Sequence, residues 1–246
     1  MRPFEFGKLL FLAAVSGLAC VSCLSPAEQL NHLSRTEEAD GWKLLFDGQG
    51  TAAWRGYAHS TFPANGWVVE DGCLKNQGNK ERHGPGGGDL VTMEKFDDFD
   101  FKFDWRISPG GNSGVKYCVH EGKTGKSGVG YEYQVLDDTE NSDAHNGANR
   151  QAGALYALIA PNDQKHLKPV GEFNHSEIIV RGKHVEHWLN GAKIVEFEME
   201  SPELKEAIAK SKFRSIPGFG DKMSTVLLLQ DHGDAVWFRN LKVRRL

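Results

Sequence analysis

The sequence predicts an all-β protein, built as a two-sheet antiparallel sandwich or jelly roll with one short helix. Short apolar segments recur between glycine-containing turns, and 28 of the 246 residues are glycine. Residues 99–107 alternate strictly between apolar and polar side chains, which is typical of a half-buried strand. Helix signals are convincing only over 201–213. Many short strands with so little helix favour a sandwich, with a closed barrel as the structural alternative.

The N-terminus is predicted to be an export signal. A basic start precedes an apolar run over 9–19, which is too short for a comfortable permanent membrane span. Small residues precede Cys20 and Cys23, and both sites resemble a bacterial lipobox, whose cysteine is lipidated and becomes the first residue. Residues 1–23 are therefore interpreted as a lipoprotein or secretory signal. We expect export to the bacterial periplasm or outer membrane, with membrane contact only through the lipid.

Two segments follow the signal. Residues 24–40 are polar without a strong period and predict a tether, and 41–246 predicts the folded domain. The domain opens with an apolar segment before a turn at 47–50. Asp71-Gly72 and Asn190-Gly191 each stand between apolar runs, which is the strongest short signal for a hairpin.

The central strands follow from alternation. Phe99, Phe101, Phe103, Trp105 and Ile107 share one face of the strand 99–107. Further strands are predicted within 114–121, 131–138, 176–182, 184–198, 225–233 and 236–246.

The single helix is predicted over 201–213. Ser201 is a good N-cap, Pro202 suits the first helical position and Glu203 favours the first turn.

Charge and cysteine content limit the function. The net charge is −4 and no lysine- or arginine-rich run occurs, so no nucleic-acid partner is expected. Cys73 and Cys118 could form one disulfide or lie as two buried small side chains. Neither has zinc-ligand spacing, so no cofactor is predicted, and a bound divalent metal stays open.

Polar residues on the strand faces are the first candidates for chemistry. Glu132 and Gln134 lie opposite the apolar face of 131–135, and a bulge after Val135 would add Asp137 to them. The alternative is an ordinary solvated face. If the strands are neighbours, six side chains could converge: Lys116, Glu132, Gln134, His187, Gln230 and His232.

Two loops supply further candidates. His145 and Arg150 fall in a long glycine- and asparagine-rich connection, where sandwiches often carry function. Asn112 and Ser113 lie in the glycine-rich turn 109–114 and could contact sugar hydroxyls. A plain surface loop and a plain turn are the respective alternatives.

Seven sequence motifs occur in order along the chain: WKLLFDGQGTAAWRG, GDLVT, DFDFKFDWRISPGGNSGVKY, YEYQVLDD, GALYALIAP, GEFNHSEIIVRGKHVEHWLNGAKIVEFE and LLLQDHGDAVWFRNLKVRRL. Together they resemble the 3-keto-disaccharide hydrolase domain family. The resemblance covers about residues 41–246, nearly the whole mature chain. One departure is DGQGTAAW, where the family more often has Leu-Asp or Leu-Ser before Gly-Trp.

The resemblance implies a concanavalin A-like jelly roll that cleaves glycosides carrying a ketone at sugar C3. Such a ketone acidifies the C2 proton, so a base can form an enolate, the C1 bond breaks by β-elimination, and water adds back.

Side-chain chemistry suggests roles for this reaction. His145 or His187 is the candidate base, and Lys116 and Arg150 would face the enolate oxygen. Glu132 would assist proton transfer or anchor the sugar. The substrate-binding candidates are Asn112, Ser113, Gln134, Asp137, Gln230 and His232.

Two other functions stay open. A non-catalytic carbohydrate-binding module would use exposed aromatics, with Trp54, Trp67 and Trp188 as candidates. A laminarinase-type glycosidase carries E-x-D-x-x-E on one strand, and here Glu132 matches while Gln134 and Asp137 replace the two other carboxylates. A retaining glycosidase needs carboxyls about 5–5.5 Å apart, which the shorter Asp137 makes hard to reach.

Overall fold

The structure is a computed structural model that describes Met1 and residues 30–78, 87–121 and 128–246. Apart from Met1, the predicted signal with Cys20 and Cys23 lies outside the described residues. Within the described ranges, no helix is long and apolar enough to cross a membrane.

The regular elements are mostly strands. Two α-helices are described, α1 (Arg35–Ala39) and α2 (Pro202–Lys210), with 3-10 turns at Ser142–Asn146 and Ala148–Arg150. The strands are β1 (Trp42–Leu44), β2 (Trp54–Gly56), β3 (Trp67–Glu70), β4 (Cys73–Gln77), β5 (Leu90–Thr92), β6 (Phe99–Ile107), β7 (Asn112–His120), β8 (Val129–Leu136), β9 (Asn174–Arg181), β10 (His184–Leu189), β11 (Ala192–Glu198), β12 (Leu228–Leu229) and β13 (Ala235–Arg245).

The strands form two antiparallel sheets. An eight-stranded sheet has the order β11-β10-β9-β6-β13-β4-β3, with β1 also paired to β13. A five-stranded sheet has the order β2-β5-β12-β7-β8. The predicted antiparallel jelly roll is confirmed.

The core lies between the two sheets. The apolar face of β6 is buried, as its alternation predicts, and it meets the tyrosines of β7 and β8. Phe103 and Tyr133 pack edge to face with ring centroids 5.4 Å apart. Because one face of β8 fills this core, its alternate residues must point away from it.

The described part of the predicted tether contacts the domain. Ser34 caps α1, and Glu37 completes a capping box. Asn31 Nδ2 donates to the carbonyl oxygen of Gly72 at 2.8 Å, and Asn31 Oδ1 accepts from the backbone N–H of Asn240. These bonds join a residue before β1 to the turn between β3 and β4 and to the last strand.

Helix α2 ends three residues earlier than predicted. The sequence favoured a helix to Phe213, but Ser211 adopts an extended backbone and closes it after Lys210. Phe213 then stacks on Phe219 with ring centroids 4.2 Å apart. This turn brings residues 212–216 over the five-stranded sheet.

Cys73 and Cys118 are free and buried, on β4 and β7 respectively. The open question about these thiols is resolved in favour of two buried small side chains. Burial raises the pKa of the Cys118 thiol to about 11.

Candidate active site

The site is built on the outer face of the five-stranded sheet. Lys116 on β7 stands opposite Glu132 on β8, and Gly114 stands opposite Gln134. Since Tyr117, Tyr131 and Tyr133 fill the core, alternation turns these side chains outward.

Tyr156 and the segment 212–216 cover this face of the sheet and form with it a pocket of about 190 Å³. That volume is below the roughly 300–1,000 Å³ of sites that enclose drug-sized ligands, so the pocket encloses about one small ring. The polar and aromatic lining comprises Asn112, Lys116, Glu132, Gln134, Tyr156, Lys212, Phe213, Gln230 and His232.

A buried ion pair lies on the pocket floor. Lys116 Nζ is 3.7 Å from Glu132 Oε2, and each side chain is only 9% exposed. Lys116 Nζ also donates to the carbonyl oxygen of Gly128 at 3.3 Å. Burial raises the pKa of Glu132, although Lys116, Lys212 and His232 each oppose that rise. The carboxylate is therefore a stronger base than an exposed glutamate.

Neighbouring residues hold the Glu132 carboxyl in place. The Gln134 carboxamide faces two acceptors, so its Nε2 is assigned toward Glu132 Oε1 at 3.1 Å and Ser113 O at 2.9 Å. A Cβ on Gly114 would lie 2.7 Å from Glu132 Oε1, so a side chain at this position would displace the carboxyl.

Tyr156 comes from a loop that extends β8 at its edge. Its backbone N–H donates to Glu132 O at 3.0 Å, and its neighbour Leu155 forms a bridge with Tyr133. The Tyr156 hydroxyl donates to Asp143 Oδ2 at 2.7 Å and accepts from Arg150 at 3.1 Å. The Asp143–Arg150 ion pair thus fixes the ring beside Glu132.

Lys212 lies just after α2 and reaches the same pocket. Its Nζ is 4.3 Å from the centroid of the Tyr156 ring, a cation–π contact. Desolvation lowers the pKa of Lys212, and Arg150 and Lys116 add to that effect while Glu132 opposes it. Its ammonium is therefore a stronger acid than that of an exposed lysine.

All the residues that line this pocket fall within 41–244, the part of the chain that one family model matches. The sequence model of the 3-keto-alpha-glucoside-1,2-lyase-like domain matches residues 41–244. The chain belongs to this family. The resemblance seen in the seven sequence motifs is thereby confirmed.

Individual relatives agree with the family. The chain is 34% identical to the 3-keto-disaccharide hydrolase of Bacteroides thetaiotaomicron, over 89% of this chain and 83% of that protein. A crystal structure from Parabacteroides distasonis, assigned as a glycosyl hydrolase, is 34% identical with a TM-score of 0.78. It covers 88% of this chain and 99% of that one. A second such structure from the same organism is 25% identical with a TM-score of 0.55, covering 78% and 99%.

Six of the predicted site residues line this one pocket of the family domain. They are Asn112, Lys116, Glu132, Gln134, Gln230 and His232. Arg150 does not line the pocket, but it donates hydrogen bonds to Asp143 and to Tyr156, which does line it.

The prediction that His187 serves as the base is wrong, because His187 lies in the core. It is 0% exposed, its Nδ1 donates to Gly153 O at 3.0 Å, and its Nε2 accepts from Tyr117 Oη at 2.8 Å. Burial lowers the pKa of His187 to about 4. The bond to Gly153 ties the loop 151–160 to β10, and the bond to Tyr117 joins β10 to β7.

Three more predicted residues lie outside the pocket. His145 is exposed on a 3-10 turn, with Nε2 3.2 Å from Thr139 O. Asp137 is buried and accepts from the backbone N–H groups of Gly110 and Thr139, so it caps a turn. Ser113 Oγ donates to Gln230 O at 2.8 Å and so holds the backbone of Gln230 just after β12.

Sequence reasoning missed seven lining residues. Three of them, Gly128, Val129 and Gly130, lie at the start of β8, and the other four are Tyr156, Lys212, Phe213 and Ile216. These four come from an irregular loop and from the turn after α2, where no period predicts a facing direction. The sequence signal for Lys212 was its position near the end of the helix predicted over 201–213.

The pocket's donor set does not fit a divalent cation. Among the described lining residues, Glu132 and His232 are the only carboxylate and imidazole, and two ammonium groups compete for Glu132. In the described part of the chain, one group of potential ligands lies within 4.8 Å of one another: His184, Glu186 and Glu196. They lie on the eight-stranded sheet, where Lys193 already pairs with both carboxylates.

Proposed function

We propose that the protein cleaves 3-keto-glycosides by removing the C2 proton and eliminating the substituent at C1. The observation that carries the proposal is a single buried carboxylate, Glu132, flanked by two lysine ammonium groups in a pocket the size of one ring. Membership of the family and the name of the Bacteroides relative support the same substrate class.

The first step is proton abstraction. Glu132 takes the proton from C2, and the C–H electron pair moves into the ring to form an enolate whose charge rests on the C3 oxygen. An ammonium beside that oxygen stabilises the charge in a site with little water. Lys116 suits this role because it is buried next to Glu132.

The second step breaks the glycosidic bond. The enolate electrons reform the C3 carbonyl as the C1–C2 double bond forms, and the C1–O pair leaves with the aglycone. The leaving oxygen needs a proton, which Lys212 supplies as an ammonium of lowered pKa. Addition of water across the double bond then gives the 3-keto sugar, for a net hydrolysis.

The glycosidase alternative lacks its second carboxylate. A retaining enzyme needs two carboxyls about 5–5.5 Å apart. Glu132 is the only carboxylate among the described lining residues, and Asp137 is engaged in its turn. A ketone-directed elimination needs one base only, so the single carboxylate favours it.

The binding-module alternative lacks the tryptophan platforms that were predicted for it. Trp54 and Trp67 are each 2% exposed in the core. Trp188 lies on β10 of the other sheet and donates to Glu186 Oε2 at 2.7 Å. None of the three lines the pocket, which favours catalysis over passive binding.

The proposal is tested by incubation with a 3-keto-disaccharide, its unoxidised parent and laminarin. We expect release of free sugar from the oxidised disaccharide alone. Binding of the oxidised disaccharide without release would support a binding module. Cleavage of the unoxidised parent or of laminarin would support a glycosidase.

We also propose that the protein is exported and anchored by lipid on Cys20 or Cys23. The apolar run and the small residues before each cysteine support this. Metabolic labelling with a fatty acid should mark the wild type, and Cys20→Ser or Cys23→Ser should abolish the label. Label retained in both single variants and in the double variant would contradict it.

A further inference from the structure

Two buried amide oxygens in the pocket have no hydrogen-bond partner among the described residues: Asn112 Oδ1 and Gln230 Oε1. Buried acceptors in folded proteins are almost always paired, so each exception needs a physical reason. The other unpaired buried side-chain atoms all lie on the eight-stranded sheet: Asn76 Nδ2, Asp100 Oδ1, Arg106 Nε and Arg244 Nε. Asn112 Oδ1 and Gln230 Oε1 differ from these four atoms, because both are amide oxygens of residues that line the pocket.

Backbone hydrogen bonds anchor both residues at their places beside the pocket. The Asn112 N–H donates to Asp234 Oδ2 at 3.0 Å, and the Gln230 N–H donates to Gly114 O at 2.9 Å. The Gln230 carbonyl oxygen accepts from Ser113 Oγ. Asn112 is only 6% exposed. Both residues line the pocket, so their anchored backbone keeps the two amides beside it.

The chemistry of the missing partner follows from that arrangement. An amide oxygen accepts, so the ligand must donate there, which a hydroxyl does and which an ether, ester, carboxylate or phosphate does not. A hydroxyl also accepts, so it satisfies either assignment of each amide.

We propose that Asn112 and Gln230 form a hydroxyl-recognition subsite, which selects sugars whose bound ring carries two free hydroxyls and rejects deoxy, O-alkylated or O-acylated rings. The inference rests on the proposed function only in taking the ligand to be a sugar. Leaving a buried acceptor without its donor penalises the wrong ligand strongly. We expect about tenfold or greater loss of affinity for each missing hydroxyl.

The test uses methyl α-D-glucopyranoside, which has no ketone and is not consumed, together with its monodeoxy analogues. Binding is measured by NMR titration for the wild type, for Gln230→Met and for Asn112→Leu. Gln77→Met on β4, which is exposed and on the other sheet, is the matched control. Thermal unfolding without ligand is measured for each.

We expect the wild type and the control to bind the parent sugar at least about tenfold more tightly than one monodeoxy analogue. Gln230→Met and Asn112→Leu should each lose this discrimination for one position. Neither should unfold at a lower temperature than the wild type, since a ligand-free acceptor contributes nothing to the fold. If one variant fails to fold, the other still decides the result.

Unchanged discrimination in both variants would overturn the inference, as would absent binding of every probe by the wild type. A lowered unfolding temperature with unchanged sugar affinity would assign the amides a structural role instead. Sugar binding with no turnover of a 3-keto-glycoside would count against the proposed function only.

Discussion

Gly114 lies directly against the carboxyl of Glu132, so that a Cβ on residue 114 would stand 2.7 Å from Oε1 and 2.9 Å from Cγ. The two residues are on neighbouring strands, and the missing side chain of one makes space for the other. The position of the proposed base is therefore set by a residue that has no chemistry of its own.

Gly114→Ala should displace the Glu132 carboxyl while preserving the fold, because the atoms that must move end a flexible side chain. We expect kcat/KM to fall by about 10–100-fold, since small misplacements of reacting groups are costly. The free energy of unfolding should change by less than about 1 kcal/mol. Gly50→Ala is the control, as its Cβ would meet atoms no closer than 3.5 Å. Equal activity of the two variants would argue against a positional role for Gly114.

Lys116→Met removes the ammonium beside Glu132 and keeps most of the side-chain volume. We expect kcat for a 3-keto-glycoside to fall by about 100–1,000-fold, as for loss of one oxyanion donor. The pKa of Glu132 should rise further, because Lys116 opposes the effect of burial. Lys75→Met, which removes a cation paired with Glu70 on the other sheet, is the control. Near-normal turnover by Lys116→Met would contradict its place at the enolate oxygen.

The pH profile of kcat/KM should be bell-shaped with closely spaced limbs. Activity rises with pH as Glu132 ionises, and this limb lies above the range of an exposed glutamate because burial raises that pKa. Activity falls as Lys212 loses its proton, and this limb lies below the range of an exposed lysine because desolvation lowers that pKa. Lys212→Met should lower the plateau and remove the alkaline limb. An alkaline limb that persists unchanged would assign it to another group.

Asp100 makes stability depend on pH. Burial and the nearby Glu177 raise the pKa of Asp100 to about 7, against partial opposition from Lys102 and Arg244. The folded protein therefore holds this proton more tightly than the unfolded chain, and stability falls as pH rises from about 4 to about 7. Asp100→Asn should stabilise the protein by about 1–4 kcal/mol at pH 8 and have little effect at pH 4.

Denaturant unfolding at both pH values measures this, with the exposed Asp163→Asn as control. A uniform effect of Asp100→Asn at both pH values would show that the carboxyl is not the titrating group.

The sequence predicted the floor of the site well because strands have a period of two. The alternation of Tyr131, Tyr133 and Val135 leaves Glu132 and Gln134 facing outward, and the structure confirms that arrangement. His187 could not be assigned in the same way, since β10 carries polar side chains on both faces. Only its pairing with β9 and β11 decides which face is buried.

The walls of the site lay beyond such reasoning. Tyr156 is brought to Glu132 by an irregular loop that pairs with the edge of β8, a contact between residues 24 apart in the chain. Lys212 depends on where α2 ends, and helix ends are among the least certain features of a sequence. Both residues are fixed by tertiary contacts rather than by local pattern.

The central claim is that Glu132 removes the C2 proton of a 3-keto-glycoside, and substitution of deuterium at C2 tests it most directly. Cleavage rates are measured for protonated and C2-deuterated substrate with the wild type and with Glu132→Gln, which keeps the side-chain shape. The account predicts slower cleavage of the deuterated substrate by the wild type and loss of cleavage in Glu132→Gln. Equal rates for both substrates, together with normal turnover by Glu132→Gln, would contradict it.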